Sequence, residues 1–117
     1  MSPEFETAFV GLRDLLLRAA PGMIVARDGV GDLMLQTPKV DPKTGEPTFF
    51  AAVMAKKAYV AFHLMPLYYR PEFLVELSPQ LSKRRQGKTC FNFKRPDTAL
   101  FAELETLVAR VASAPKD

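Results

Sequence analysis

The sequence predicts an α+β two-layer domain: a mainly antiparallel five-stranded sheet with both terminal helices on one face, in the order α-β-β-β-β-α-β-α. Three observations predict it. Each end of the chain carries one apolar stripe at helical spacing. Between them lie four short stretches rich in aromatic and β-branched residues, separated by turn signals. A further alternating segment precedes the last helix. Residues 1–117 read as a single domain, long enough to bury one core, with no internal repeat or linker.

Ser2-Pro3 opens the first helix, because Ser caps free amides and Pro is pre-shaped for the first helical turn. Phe5, Phe9, Leu12, Leu16 and Ala19 recur at steps of four and three, and Pro21-Gly22 ends the run. Residues 23–27 (MIVAR) and 31–37 (GDLMLQT) flank Asp28-Gly29-Val30, a hairpin signal. The polar stretch 38–47, with three prolines and a glycine, reads as an exposed loop. Residues 48–55 and 58–68 form a second hairpin about Lys56-Lys57, central because both faces are largely apolar. There Val60, Phe62 and Leu64 point one way; Tyr59, Ala61, His63 and Met65 point the other. Pro66 ends this strand, and Pro71 and Pro79 open short helices over 71–77 and 79–85, the second capped by Ser78 and stopped by Gly87. Residues 88–93 make the fifth strand, with Thr89, Phe91 and Phe93 on one face and Cys90 and Asn92 on the other. After Pro96, Asp97 caps the last helix, whose stripe is Leu100, Phe101, Leu104, Leu107, Val108 and Val111.

Composition narrows the function classes. Apolar content is 48% and charged content 25%, as in ordinary globular proteins, and no apolar run is long enough to span a membrane. The start of the chain shows no secretory pattern, and a single Cys forbids an internal disulfide, so a reducing cytoplasm is expected. One Cys and one His exclude a four-ligand Cys/His zinc site within one chain, and no cofactor is implied. The formal net charge is only +3, yet residues 83–95 hold six cations and no acid: Lys83, Arg84, Arg85, Lys88, Lys94 and Arg95. A local basic run favours anionic partners and is also an ordinary solvated rim.

The candidate site is the sheet face away from the helices: Tyr59, His63, Tyr69, Lys88, Cys90 and Asn92, with Arg84 or Arg85 at its rim. Lys and Arg donate to an oxyanion, Arg in bidentate fashion, while cations at the end of a helix 79–85 would also oppose its dipole. The expected ligand is a small, partly apolar anion; a second copy of the chain covering the half-apolar face is the other expected partner. Nucleic acid is disfavoured, since Phe91 and Phe93 face inward and leave no stacking platform. Cys90, with Lys88 two positions away and His63 on the same side, is a candidate nucleophile without a third group, against its plain reading as strand filling. Tyr68-Tyr69-Arg70 either lines a pocket or anchors a strand-to-helix junction. The methionines in predicted strands read as core filling.

Most of the chain, most convincingly residues 48–111, resembles the YdhG-like domain family, small and mostly bacterial α+β proteins, many of unknown function. The likeness rests on a Leu-rich helical segment, the strand Gly87-Lys88-Thr89-Cys90-Phe91-Asn92-Phe93 in a GK-x-x-x-F pattern, and a closing amphipathic helix. It implies the same fold and no catalytic motif. Some relatives are described as frataxin-like intracellular iron chaperones, so iron binding is a second implication. Iron without sulfur or imidazole partners favours carboxylates, and the first helix offers Glu4, Glu6 and Asp14.

Overall fold

The computed structural model describes residues 2–113. Its elements are helix α1 (Pro3–Ala19), strands β1 (Ile24–Gly29), β2 (Asp32–Val40), β3 (Pro47–Ala55) and β4 (Val60–Leu64), one turn α2 (Pro66–Tyr69), a 3-10 turn (Pro71–Leu74), one turn α3 (Pro79–Ser82), strands β5 (Arg85–Gln86) and β6 (Cys90–Phe93), and helix α4 (Thr98–Ser113). The strands form one antiparallel open sheet in the order β1-β2-β3-β4-β6-β5. Helices α1 and α4 pack on each other and on one face of that sheet.

Helix α1 starts as its sequence dictates: the Ser2 hydroxyl accepts from the Phe5 amide at 3.1 Å, with Pro3 in the first turn. Its inward stripe is wider than the five residues expected, because Ala8 and Leu15 are also buried while Phe5 and Ala19 are only partly so. A side chain added at Gly11 would meet the Phe101 ring at 3.0 Å, so this glycine sets how closely α1 approaches α4. In α4, Leu100, Leu104, Leu107, Val108 and Val111 are buried, and Phe101 sets its ring edge-on to Phe93 at 5.1 Å.

Strand parity holds in β4 and β6. Val60, Phe62 and Leu64 of β4 and Phe91 and Phe93 of β6 are buried under the helices. Strand β3 departs from simple alternation. Leu35 pairs with Ala51 and Gln36 with Phe49, so Phe50 is the extra residue of a bulge. Phe50 and Ala51 therefore both enter the core, and Phe49 crosses to the opposite face, where its ring meets His63 at 4.9 Å.

The structure corrects several expectations between the regular elements. Among the described residues the sheet has six strands, not five: Arg85–Gln86, expected at a helix end, forms an edge strand. Helix α3 closes after one turn at Ser82, so Arg84 and Arg85 lie beyond it and do not cap its dipole. Gly87 is a hairpin residue rather than a helix stop; its φ of 72° lets β5 turn back onto β6. The first hairpin turns at Val30-Gly31, with Gly31 at φ 69°, two residues later than its Asp-Gly signal. The expected loop 38–47 narrows to residues 41–46, since β2 runs to Val40 and β3 starts at Pro47. Segment 71–77 forms only a 3-10 turn, and the helical turn at Pro66–Tyr69 went unpredicted. Clustered prolines favour first turns but not the four further residues a stable helix needs.

Candidate functional site

The sheet face opposite α1 and α4 can be read as a grid from the strand pairings. One row runs Ala52, His63, Cys90, Gln86 across β3, β4, β6 and β5. The next row runs Met54, Ala61, Asn92, continuing to Arg84, whose carbonyl accepts from the Asn92 amide at 2.8 Å. A third level holds Lys56 and Tyr59, joined by a 2.7 Å bond from the Lys56 amide to the Tyr59 carbonyl. Ala61 is the small residue at the centre of this grid, with larger side chains on its four sides.

Two adjoining hollows follow. A trough of about 300 Å³ is lined by Ala52, Met54, Lys56, Tyr59, Ala61, His63, Gln86, Cys90 and Asn92. Beside it lies a polar hollow of about 210 Å³, where Lys83, Arg84 and Lys94 meet Tyr59, Gln86 and Asn92. Tyr59, Gln86 and Asn92 line both, so the two are parts of one surface. Among the described residues, no carboxylate pairs with Lys83, Arg84 or Lys94.

Of the eight residues expected at the site, Tyr59, His63, Cys90, Asn92 and Arg84 come together here. The other three do not line either hollow. Arg85 stands opposite Phe91 and so belongs to the helix-covered side. Lys88 lies in the β5–β6 turn, not in a strand, and its ammonium sits 5.4 Å from the centre of the Tyr68 ring. Tyr69 is 63% exposed on α2 and meets Tyr68 edge-on. Gln86, Lys83, Lys94, Lys56, Ala61, Met54 and Ala52 are the residues that sequence reasoning left out. Lys83 and Lys94 were visible within the basic run; Ala52 and Met54 needed the β3–β4 register.

Electrostatics divide the surface. Desolvation pushes the His63 pKa below its ordinary range, and its ring is flanked by Phe49, so His63 is neutral at pH 7. The positive side chains on this surface are therefore Lys83, Arg84, Lys94 and Lys56. Cys90 lies directly across from His63, with its sulfur 3.8 Å from the Thr89 hydroxyl.

Two larger hollows are chemically poorer for an anion. One, of about 630 Å³, lies by Ser2, Phe5, Lys56 and Lys57, but Glu4 and Glu6 sit in the adjoining first turn of α1. The other, of about 700 Å³, contains Glu6 and the bidentate Arg13–Asp28 pair, with bonds of 2.9 and 2.7 Å. No group of three or more His, Cys, Asp or Glu is placed to share a metal ion among the described residues, and Asp14 is held by Arg13 at 3.1 Å. No described helix is long and apolar enough to cross a membrane.

Compared with family models, with curated proteins and with solved structures, this chain matches none. What the fold and sheet face define is an α+β domain with one face of its sheet uncovered.

Proposed function

We propose that this chain is a binding module for a small oxyanion, taken up on the open sheet face where Lys83, Arg84 and Lys94 meet. The observation that carries this reading is the set of three cations around Asn92, Gln86 and Tyr59, with no carboxylate partner among the described residues. Unpaired cations this close repel one another, and an oxyanion relieves that repulsion while accepting from Arg84 and the Asn92 and Gln86 amides. A resemblance to the YdhG-like group belongs to the same proposal and rests on the Gly87-to-Phe93 strand and the closing helix.

Thermal melts with a panel of phosphates and carboxylates test it. Stabilisation should appear at low salt, weaken as salt rises, and be lost in Arg84→Ala. Lys88→Ala should respond like the parent chain, because Lys88 packs over Tyr68. A flat panel removes the proposal. A face covered instead by a second copy would show as a dimer in sedimentation, broken by Met54→Glu.

A second reading, thiol chemistry at Cys90, has one specific observation in its favour: His63 is its direct cross-strand neighbour. A neutral imidazole can accept a thiol proton. Alkylation rate against pH decides it, since an ordinary thiol profile leaves Cys90 as strand filling.

A further inference from the structure

The trough and the cationic hollow differ in chemistry although they share three residues. The trough floor is Ala61, with the small Ala52 diagonal to it on the neighbouring strand. Its walls are Met54 on one side, Asn92 and Cys90 on the other, and the rings of Tyr59 and His63 at its two ends. Same-face residues on a strand are roughly 7 Å apart and adjacent strands about 4.8 Å, so Tyr59 and His63 bracket Ala61 with a gap of roughly 13 Å between their Cα atoms. An inorganic oxyanion at Arg84 and Lys94 would leave this apolar slot in contact with water alone. We infer that the ligand is an aryl oxyanion: a planar ring lying over Ala61 between Tyr59 and His63, with its phosphate or carboxylate held by Lys83, Arg84 and Lys94.

The inference rests on the oxyanion reading above and adds its apolar half. Three features select the ring. The slot has room for a ring over Ala61, whose side chain stops at Cβ while Met54, Asn92, Tyr59 and His63 stand around it. It is bounded by two ring side chains, which offer edges to a planar guest. It adjoins the cationic hollow, with Tyr59, Asn92 and Gln86 lining both, so a ring and its anionic substituent can be seated together. His63 is neutral in this setting and serves as a wall rather than as a charge partner.

Calorimetry on the full chain with phenyl phosphate, benzoate and inorganic phosphate tests it. Phenyl phosphate should bind at least roughly tenfold more tightly than inorganic phosphate, the difference being burial of the ring. Ala61→Leu fills the slot from the solvent side. It should abolish that advantage and leave inorganic phosphate within about twofold of its parent affinity. Benzoate is the carboxylate arm, and any binding it shows should be lost in Ala61→Leu as well. A readout on the unaltered chain guards against a misfolded variant: saturating phenyl phosphate should slow iodoacetamide alkylation of Cys90, and inorganic phosphate should not. Equal affinity for phenyl and inorganic phosphate, or Cys90 protection by neither, overturns the ring and leaves the anion site standing. Binding of none of the three probes removes the anion site itself.

Discussion

The two faces of this sheet are cut from the same strands, and alternate residues of one four-residue stretch serve opposite ends. In β4, Val60 and Phe62 are fully buried against the helices, while Ala61 and His63 between them line the open trough. In β6, Phe91 and Phe93 are core and Cys90 and Asn92 are trough. The covered face is large, aromatic and tightly filled; the open face is small-floored and polar at one end. The contrast teaches that stability and binding should be separable here at single-residue resolution, because neighbours in sequence answer to different environments.

The largest effect expected is on the covered face. Phe62→Ala should cost about 3–5 kcal/mol in denaturant unfolding, since its side chain is fully buried and leaves a cavity between sheet and helices. Next comes the helix pair above it. Gly11→Leu pushes against the Phe101 ring and should cost about 1–3 kcal/mol, read from the same unfolding curves. Gly11→Ala should be closer to neutral, because the helix-propensity gain of about 1 kcal/mol opposes the contact.

A smaller effect links the faces. The Ser78 hydroxyl caps α3 at the Leu81 amide and donates to Glu103 of α4 at 2.6 Å, and the Ser78 amide donates to the same carboxylate at 2.8 Å. Ser78→Ala should cost about 1 kcal/mol. It should also blunt the phosphate response, because this cap holds the segment that delivers Lys83 and Arg84. On the open face itself, Ala61→Leu should change stability by no more than about 0.5 kcal/mol, while altering binding as described.

The pH dependence sharpens the same contrast. Burial lowers the His63 pKa in the folded chain, so the unfolded chain takes up this proton first as pH falls. Its contribution is full above the ordinary histidine value of about 6.5, declines on acidification below it, and becomes flat once the folded pKa is passed. Urea melts from about pH 7.5 down to about pH 5 should show the parent chain losing stability on acidification, with this loss absent from His63→Gln. The surface pairs act lower. Hydrogen bonds from Arg13 and Arg18 hold Asp28 and Glu105 below the ordinary carboxylate range, so their stabilisation is present above that range and is lost as pH falls through the folded values.

Where the period was long and the residues large, sequence reasoning located the elements well. Both terminal helices and the facing of β4 and β6 follow from spacing alone, because burying Phe62 and Phe91 leaves no alternative register for His63 and Cys90. The segment from Pro66 to Gln86 was poorly legible for a physical reason. It consists of single turns and a two-residue strand, each too short to show a period, and its geometry is set by packing and by Gly87. The same limit misplaced part of the site. Lys88 was assigned to a strand by parity, but the hairpin turn claims it, and Arg85 faces the helices because β5 pairs Arg85 with Phe91. The Phe50 bulge, which frees Phe49 to pack on His63, leaves no mark in a run of apolar residues.

The most direct test is a ¹⁵N NMR titration of the full chain with inorganic phosphate at low salt. Saturable shifts confined to Tyr59, Arg84, Gln86, Asn92 and Lys94, with α1 and α4 unmoved, are the predicted result. Shifts centred on Lys56-Lys57 and the start of α1, or none that saturate, would contradict it.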